Sequence, residues 1–398
     1  MLGAAAQPHL PERPDSEPPV RPLAARTAIV HDWFQGFHGA ERVVEAIRSG
    51  LFGDAGPDIY TFHAARELLP AQLAASIVQE SKLASLPGIR QRGHHPGHWR
   101  NLLPLMPAYF SRLGLDAYEL VVSSSHAFAT NVRTRPDALH VCYCYTPLRY
   151  AWLPEMEGGR VTGARALALG LMRKRLRKID LAASARPDGY VAISSAVRDR
   201  IRRFYGRDAA IVHPPVDVED FDPTQEKDPQ RFLWVHRLVS YKHPELVVEA
   251  FRGLPYRLTM VGIGPLEARL RRDLPPNVEL RSWVSRRELV ELFEQSAGFI
   301  HVADEDFGIT MVEALAAGTP VIALERGGAC DIVRGGVDGV FLDRPDPSLI
   351  RSAVHSVTTS EWDRARLAHD ARRFSRSRFL AALRSYLDEL GERKGLEL

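Results

Sequence analysis

The chain has 398 residues, of which 45% are apolar and 25% charged, and its net charge at neutral pH is +3. These values are typical of a globular protein of two or three domains, and the small net charge gives no general case for nucleic-acid binding. Three cysteines, Cys142, Cys144 and Cys330, are too few for a disulfide framework and indicate a reducing compartment such as the cytoplasm.

The first two dozen residues are rich in proline and charge and lack the apolar centre of a signal peptide. We therefore predict a disordered tail over residues 1–24. The chain has no run of about eighteen apolar residues, so the sequence predicts no membrane-spanning helix.

From Thr27 onward, short apolar runs alternate with stretches of helical periodicity, as in parallel strands joined by helices. The pattern restarts at Arg231, after a Pro-Pro pair and a polar stretch that resemble a domain linker. We predict an α/β fold of two facing, doubly wound, Rossmann-like domains with a cleft between them. The predicted N-terminal domain is 25–218, and the predicted C-terminal nucleotide-sugar-binding domain is 219–375. The predicted strands are 27–30, 59–62, 120–122, 139–145, 190–193, 210–216, 232–235, 257–261, 278–283, 299–302 and 321–323.

Several N-terminal segments follow predicted strands, where α/β folds place ligand groups. Gly36 and Gly39 lie in the first such turn and could admit a phosphate, although the G-x-G-x-x-G fingerprint is absent and both could be plain turn glycines. Segments 123–126 and 145–150 follow later strands.

Two basic segments also stand out. Residues 90–100 contain His94, His95 and His98, which lack nearby metal-ligand partners and suggest a flexible loop or a contact with an anionic acceptor or lipid head groups. Residues 173–178, on a helix predicted over 164–181, form either a solvated face or a membrane contact.

Two cations mark the start of the second half. Arg237 and Lys242 occupy a loop after a strand, at the expected ligand edge of the sheet. Two cations there can neutralise a diphosphate and stabilise it as a leaving group, although paired surface cations are also common.

The most informative stretch runs from Asp304 to Asp331 and predicts an acidic turn, a helix, a strand and a glycine turn. Gly308 precedes a helix beginning at Ile309, and the free N–H groups of a helix N-terminus favour an anion. Glu305 and Glu313 could reach groups on either side of that anion, or could be solvated surface acids. Asp304 and Asp306 could bind Mg²⁺, but the helix end and the cations can neutralise phosphates without it.

These motifs resemble family 4 of the retaining glycosyltransferases, which have the GT-B fold. The resemblance rests on Arg-Leu-Val-Ser-Tyr-Lys (237–242), Val-Gly-Ile-Gly-Pro (261–265), Glu-Asp-Phe-Gly-Ile-Thr-Met-Val-Glu (305–313) and Ala-Gly-Thr-Pro-Val (317–321). In the first half, segments 36–42 and 142–152 are similar to the bacterial branch of GDP-mannose-dependent mannosyltransferases of O-antigen and related glycans.

The resemblance implies roles at matching positions. Arg237 and Lys242 would grip the diphosphate, the Gly39 loop would approach the phosphate or sugar, Glu305 would bind donor sugar hydroxyls and Glu313 the ribose. The remaining donor-binding positions would be Gly264, Phe307, Gly308 and Ile309. No metal or other cofactor would be required, and the last helix, in residues 376–398, would cross back onto the N-terminal domain.

The chain departs from the family at two positions. His236 stands where the family often has Gly, and Tyr145 stands where it often has a histidine near the reacting sugar. A tyrosine with a pKa of about 10 cannot act as a base at neutral pH without a large shift. Tyr145, assigned to the catalytic site, therefore hydrogen-bonds the donor, or the acceptor geometry differs, or activity is lost.

The predicted function is transfer of mannose from GDP-mannose to a glycan or lipid-linked acceptor, in the cytoplasm, with peripheral contact to the anionic inner membrane. One alternative is a UDP-GlcNAc or UDP-glucose donor, and another is an inactive member that binds carbohydrate or lipid. An epimerase or phosphatase would need an additional acid or base that the sequence does not show.

Overall fold

The computed structural model describes residues 22–52, 56–86, 89, 98–153 and 163–398. These residues form two parallel β-sheets, each with its own helices, and they confirm the predicted α/β fold of two Rossmann-like domains. The histidines His94 and His95 of the predicted basic loop lie outside the described residues.

The N-terminal sheet has seven parallel strands in the order β3-β2-β1-β4-β5-β6-β7. The strand order reverses between β1 and β4, and ligands bind in α/β sheets at the carboxyl ends of the strands beside such a reversal. The strands are β1 (Thr27–His31), β2 (Asp58–Thr61), β3 (Ile77–Gln79), β4 (Leu120–Ser125), β5 (Leu139–Cys144), β6 (Gly189–Ala192) and β7 (Ala210–Ile211). The helices are α1 (Gly39–Leu51), α2 (Ala71–Ser76), α3 (Met106–Phe110), α4 (Arg149–Trp152), α5 (Gly163–Ala183) and α6 (Ser195–Tyr205).

The C-terminal sheet has six parallel strands in the order β10-β9-β8-β11-β12-β13, with the reversal between β8 and β11. The strands are β8 (Asp228–Val235), β9 (Arg257–Val261), β10 (Val278–Arg281), β11 (Ser296–His301), β12 (Val321–Leu324) and β13 (Gly339–Leu342). The helices are α7 (Pro244–Phe251), α8 (Glu267–Leu270), α9 (Arg286–Gln295), α10 (Ile309–Ala316), α11 (Ala329–Ile332), α12 (Pro347–Thr359), α13 (Arg364–Ala371) and α14 (Arg376–Lys394).

One predicted strand is much shorter in the structure. The apolar run 210–216 forms only the two-residue strand Ala210–Ile211. Pro214 and Pro215 have no backbone N–H to donate to a neighbouring strand, so the ladder stops before them.

The last helix packs on the N-terminal domain, although it follows the C-terminal domain in sequence. Phe379 meets Tyr143 edge to face, with ring centroids 5.8 Å apart. At the far end of α14, the Lys394 ammonium donates to the Asp188 carboxylate over 2.7 Å. Because this helix contacts the opposite domain, the chain connects the two domains twice.

The chain is already packed on the N-terminal domain before residue 25. Leu23 is 7% exposed, and its amide donates to the Leu51 carbonyl over 2.7 Å. The predicted tail boundary at residue 24 is therefore too late, because the apolar Leu23 side chain joins the core. Residues 1–21 lie outside the described part.

Candidate functional site

A cleft of about 1,200 Å³ lies between the two domains. Residues from the segments 33–41, 145–150 and 237–243 line it, together with Leu103, His126, Pro265, Leu266 and Asp306. Most of these segments follow the carboxyl ends of β1, β4, β5, β8, β9 and β11, where parallel sheets bind ligands. The cleft is thus built where both sheets expose their ligand edges.

Lys242 and Glu305 form an ion pair beside the cleft, next to the lining residues Tyr241, His243 and Asp306. The Lys242 side chain is 4% exposed. Burial, together with the Arg149 and Arg237 guanidiniums, lowers the pKa of Lys242 to about 7. A negatively charged ligand bound beside this lysine would favour its charged form and raise its pKa.

Arg237 lines the same cleft and is exposed. Its carbonyl accepts a hydrogen bond from the Val239 amide over 2.9 Å, but its guanidinium has no hydrogen-bond or ion-pair partner among the described residues, unlike the ammonium of Lys242. Its five N–H donors are available to an anion, and a guanidinium can bind phosphate oxygens in a bidentate manner.

Gly308 begins helix α10 with φ at +111°, in the left-handed region that favours glycine. A Cβ atom there would overlap the Met311 side chain and lie 3.2 Å from His301 Nε2. At Gly39, a Cβ atom would lie 3.2 Å from Ile309 Cδ1. The structure thus brings the start of α1 against the start of α10, and Gly39 allows this close approach.

Three other predicted donor-binding residues, Glu313, Phe307 and Gly264, are not among the residues that line this cleft. Glu313 is 7% exposed, and its Oε1 accepts a hydrogen bond from Arg286 Nη1 over 2.6 Å. Burial raises the pKa of the Glu313 carboxyl. Phe307 stacks on His213 with centroids 5.5 Å apart, and Gly264 packs against the Leu238 backbone.

Asp306 joins the two domains across the cleft. Asp306 is 9% exposed, and its carboxylate contacts the guanidiniums of Arg149 and Arg200 from the N-terminal domain. A second bridge lies nearby, where Ser195 N and Oγ donate to the Asp331 carboxylate, both over 2.6 Å. Asp306 therefore already forms ion pairs with two arginines. These ion pairs argue against the hypothesis that Asp304 and Asp306 bind Mg²⁺ together.

Tyr145 lines the cleft, but its hydroxyl is held by the protein. The hydroxyl donates to the Ala40 carbonyl over 3.1 Å and lies 2.9 Å from Ser124 Oγ. Burial raises the pKa of Tyr145 well above its usual value, so the phenol stays protonated. Tyr145 therefore holds the start of α1 in position. This contact gives Tyr145 a supporting role in the cleft, where the sequence had predicted a catalytic one.

Tyr145→Phe is expected to lower the free energy of unfolding by about 1 kcal/mol, the usual net value of a hydrogen bond. It should raise KM for the donor more than it lowers kcat, since the start of α1 loses its anchor. Tyr256→Phe removes a comparable hydrogen bond to Thr358, 3.0 Å long, outside the cleft and should leave KM unchanged. A large fall in kcat at constant KM in Tyr145→Phe would contradict the supporting role.

His126 lines the cleft and belongs to segment 123–126, which the sequence placed after a strand without giving its residues individual roles. Its ring packs edge-on against Trp33, with centroids 4.5 Å apart. Burial lowers the pKa of His126, so the ring is neutral and can hydrogen-bond a hydroxyl. The buried Asp32 carboxylate fixes this turn by accepting four backbone N–H groups, those of residues 126–129, over 2.6–2.9 Å. The position of His126 directly after β4 was the available sequence signal.

Glu41 is a second unassigned group in the cleft. It lies on the first turn of α1, is 7% exposed, and accepts a hydrogen bond from the His38 amide over 3.2 Å. Burial raises the pKa of its carboxyl to about 7. Glu41 lies three residues after His38, the spacing of an ordinary helix-capping pair. The sequence therefore gave no reason to expect Glu41 in the cleft.

Comparison with known proteins agrees with this architecture. Residues 216–374 match the family model for glycosyl transferases group 1. A D-inositol 3-phosphate glycosyltransferase of Xylanimonas cellulosilytica is 29% identical over 48% of this chain and 54% of its own length. The D-rhamnosyltransferase WbpZ of Pseudomonas aeruginosa is 27% identical over 52% of this chain and 57% of its own length. The chain thus spans little more than half the length of these curated relatives.

Among solved structures, Anabaena Alr3699/HepE in complex with UDP and glucose superposes with a TM-score of 0.62 at 15% identity. The superposition covers 92% of this chain and 99% of the other. The superposition shows the GT-B fold for the chain, and the family model matches its C-terminal domain alone. Among the described helices, none is both long enough and apolar enough to cross a bilayer.

Proposed function

We propose that the protein is a retaining glycosyltransferase that moves mannose from GDP-mannose to a glycan or lipid-linked acceptor without a metal ion. The observation that carries the proposal is the cleft between two ligand-binding sheet edges, with Arg237 on its wall and the Lys242–Glu305 pair beside it. The match of the C-terminal domain to glycosyl transferases group 1 supports the reaction class.

In this proposal the donor diphosphate replaces Glu305 as the partner of Lys242. Arg237, Lys242 and the backbone amides at the start of α10 then stabilise the charge that develops on the leaving diphosphate. Glu305, released from Lys242, accepts hydrogen bonds from the sugar hydroxyls. Glu313 bonds to Arg286 through Oε1, and its other oxygen would accept from a ribose hydroxyl.

The proposed chemistry takes place on one face of the sugar. The bond between the anomeric carbon and the diphosphate oxygen breaks as the acceptor oxygen forms a bond to the same carbon from the same side. The acceptor proton passes to the departing phosphate oxygen, so the step needs no protein base. Tyr145 cannot serve as that base, because burial keeps its pKa well above neutrality.

The direct test supplies the purified chain with GDP-mannose and a panel of lipid-linked acceptors. We expect sugar transfer together with GDP release. The absence of both products, with turnover of a UDP-sugar instead, would contradict the donor assignment. Donor hydrolysis without any acceptor product would support the alternative of a member that no longer transfers sugar.

A UDP-sugar donor is the principal alternative, because the structural neighbour described above holds UDP and glucose. The base would bind near the carboxyl ends of β9 and β10, where Ile263 is 61% exposed and Trp283 79% exposed. An exposed indole offers a stacking surface to either base. GDP is expected to raise the melting temperature more than UDP at equal concentration. A larger shift with UDP would favour the alternative.

The affinity for the nucleotide sugar is expected to fall as pH rises above about 7. Lys242 must be protonated to bind the diphosphate, its pKa is lowered to about 7 in the free protein, and a bound anion raises it. Binding therefore takes up a proton, and the affinity falls by up to about tenfold per pH unit above the free pKa. Calorimetry with GDP-mannose, whose phosphates do not titrate in this range, measures the slope.

Lys242→Gln should bind GDP-mannose more weakly and with no pH dependence in the same range. A slope that persists in this variant would assign the proton to another group, such as Glu41, whose pKa burial raises to about 7. That result would contradict the role given to Lys242.

The acceptor side of the proposal includes contact with the inner face of the membrane. On α5, Met172 is 42% exposed and Leu181 48% exposed, and they flank the basic segment 173–178. Exposed apolar side chains beside cations suit an anionic lipid surface. Cosedimentation with anionic vesicles at low salt, and its loss with Lys174→Gln/Lys178→Gln, would support this contact.

A further inference from the structure

Two imidazoles and a carboxylate meet at the ligand edge of the C-terminal sheet. His236 follows β8 directly, and His301 is the last residue of the adjacent strand β11. Their rings pack edge to face with centroids 4.6 Å apart. Glu305 Oε2 lies 2.7 Å from His301 Nε2. One ligand atom from each of these three residues lies within 4.8 Å of the other two.

One ring nitrogen of His236 lacks a hydrogen-bond partner at this cluster. Its Nε2 is buried and has no hydrogen-bond partner among the described residues. The ring also interacts with the Ile300 backbone, which leaves Nε2 as its unpartnered nitrogen. A histidine that donates through one ring nitrogen and keeps the other bare has the usual arrangement of a metal ligand.

His301 also has a buried ring nitrogen, Nδ1, without a hydrogen-bond partner among the described residues. The His301 side chain is fully buried. A buried nitrogen without a partner is costly in a folded protein, and a bound cation would remove that cost.

We propose that His236, His301 and Glu305 form a binding site for a divalent transition-metal ion of the Zn²⁺ class. Two imidazoles and one carboxylate are a known zinc ligand set, with a fourth position open to water. Tetrahedral ligands at about 2.0–2.1 Å from zinc lie about 3.4 Å apart. His301 Nε2 and Glu305 Oε2, now 2.7 Å apart, must therefore separate slightly when the ion enters between them and His236. The Glu305 side chain, in the turn before α10, is 24% exposed and would have to leave its present contact with Lys242.

The ion and Lys242 compete for the same carboxylate. Lys242 pairs with Glu305 Oε1 in the present structure, so metal binding and this ion pair are alternative states. If the proposed function holds, a bound ion also removes Glu305 from the donor sugar and weakens nucleotide-sugar binding. The metal titration itself needs no nucleotide, so its failure and a failure of the proposed function can be distinguished.

The test uses the full chain without a histidine tag, freed of metal with a chelator. Zn²⁺ is titrated in competition with a chromophoric chelator. We expect one tight site per chain, weakened at least tenfold by His236→Gln and by His301→Gln. His355→Gln removes an exposed imidazole on α12 and serves as the matched control with unchanged affinity. Thermal melts confirm folding, and Glu305→Gln, which keeps the size of the side chain, provides a second test if a histidine variant is unstable.

Lys242→Gln should bind Zn²⁺ more tightly, because it removes the competing ammonium without touching a ligand. Failure to detect a tight site, or equal affinity in wild type, His236→Gln and Glu305→Gln, would overturn the proposal. The second outcome would place the ion elsewhere in the chain.

Discussion

Lys242→Ala and Glu305→Ala are each expected to cut turnover by more than about tenfold, equivalent to about 1.4 kcal/mol of transition-state stabilisation. Without Lys242, the leaving diphosphate loses the ammonium placed to neutralise it. Without Glu305, the donor sugar loses the carboxylate that orients its hydroxyls, and Lys242 stays buried without its partner. The comparison is made on kcat with GDP-mannose and an accepted acceptor.

Glu325→Ala is a suitable control, since it removes an exposed carboxylate from the same domain. It should leave kcat within a factor of two or so of wild type, because surface substitutions away from specific contacts have small effects. Unchanged turnover in both Lys242→Ala and Glu305→Ala would remove these residues from the site.

Asp32→Ala is expected to lower the free energy of unfolding by about 3–5 kcal/mol. The Asp32 side chain is fully buried, and it accepts the backbone N–H groups of residues 126–129 over 2.6–2.9 Å. Alanine would leave these donors without acceptors inside the protein, and each lost acceptor is expensive there. The turn that carries His126 would also lose its fixed shape.

Denaturant unfolding followed by circular dichroism measures this loss. Asp116→Ala, at an exposed position of the same domain, should change stability by less than about 0.5 kcal/mol. A loss below about 1 kcal/mol in Asp32→Ala would show that the turn finds other acceptors and that Asp32 does not organise this wall of the cleft.

The strands that form both sheets were mostly readable from the sequence. Parallel strands are buried on both faces, so they appear as continuous apolar runs such as 27–30, 120–122 and 321–323. Two short strands at sheet edges, Ile77–Gln79 and Gly339–Leu342, were missed because they have only three and four residues. Arg237 and Gly39, to which the family resemblance gave donor-binding roles, both line the cleft.

The ion-pair partners of the charged residues could not be predicted from the sequence. Glu313 meets Arg286, and Asp306 meets Arg149 and Arg200, across distances in sequence that no local pattern encodes. These pairings depend on how the two domains and the helices between them pack. For the same reason, spacing could place Lys242 at the sheet edge but could not show that Glu305 already holds it.

The proposed transfer reaction requires a diphosphate bound between the two domains by Arg237, Lys242 and the amides at the start of α10. A crystal structure of the chain with GDP-mannose tests this most directly. We predict diphosphate oxygens about 3 Å from both side-chain cations, the Lys242–Glu305 contact opened, and Glu305 on the mannose hydroxyls. A donor bound with its diphosphate away from Arg237 and Lys242 would contradict the account.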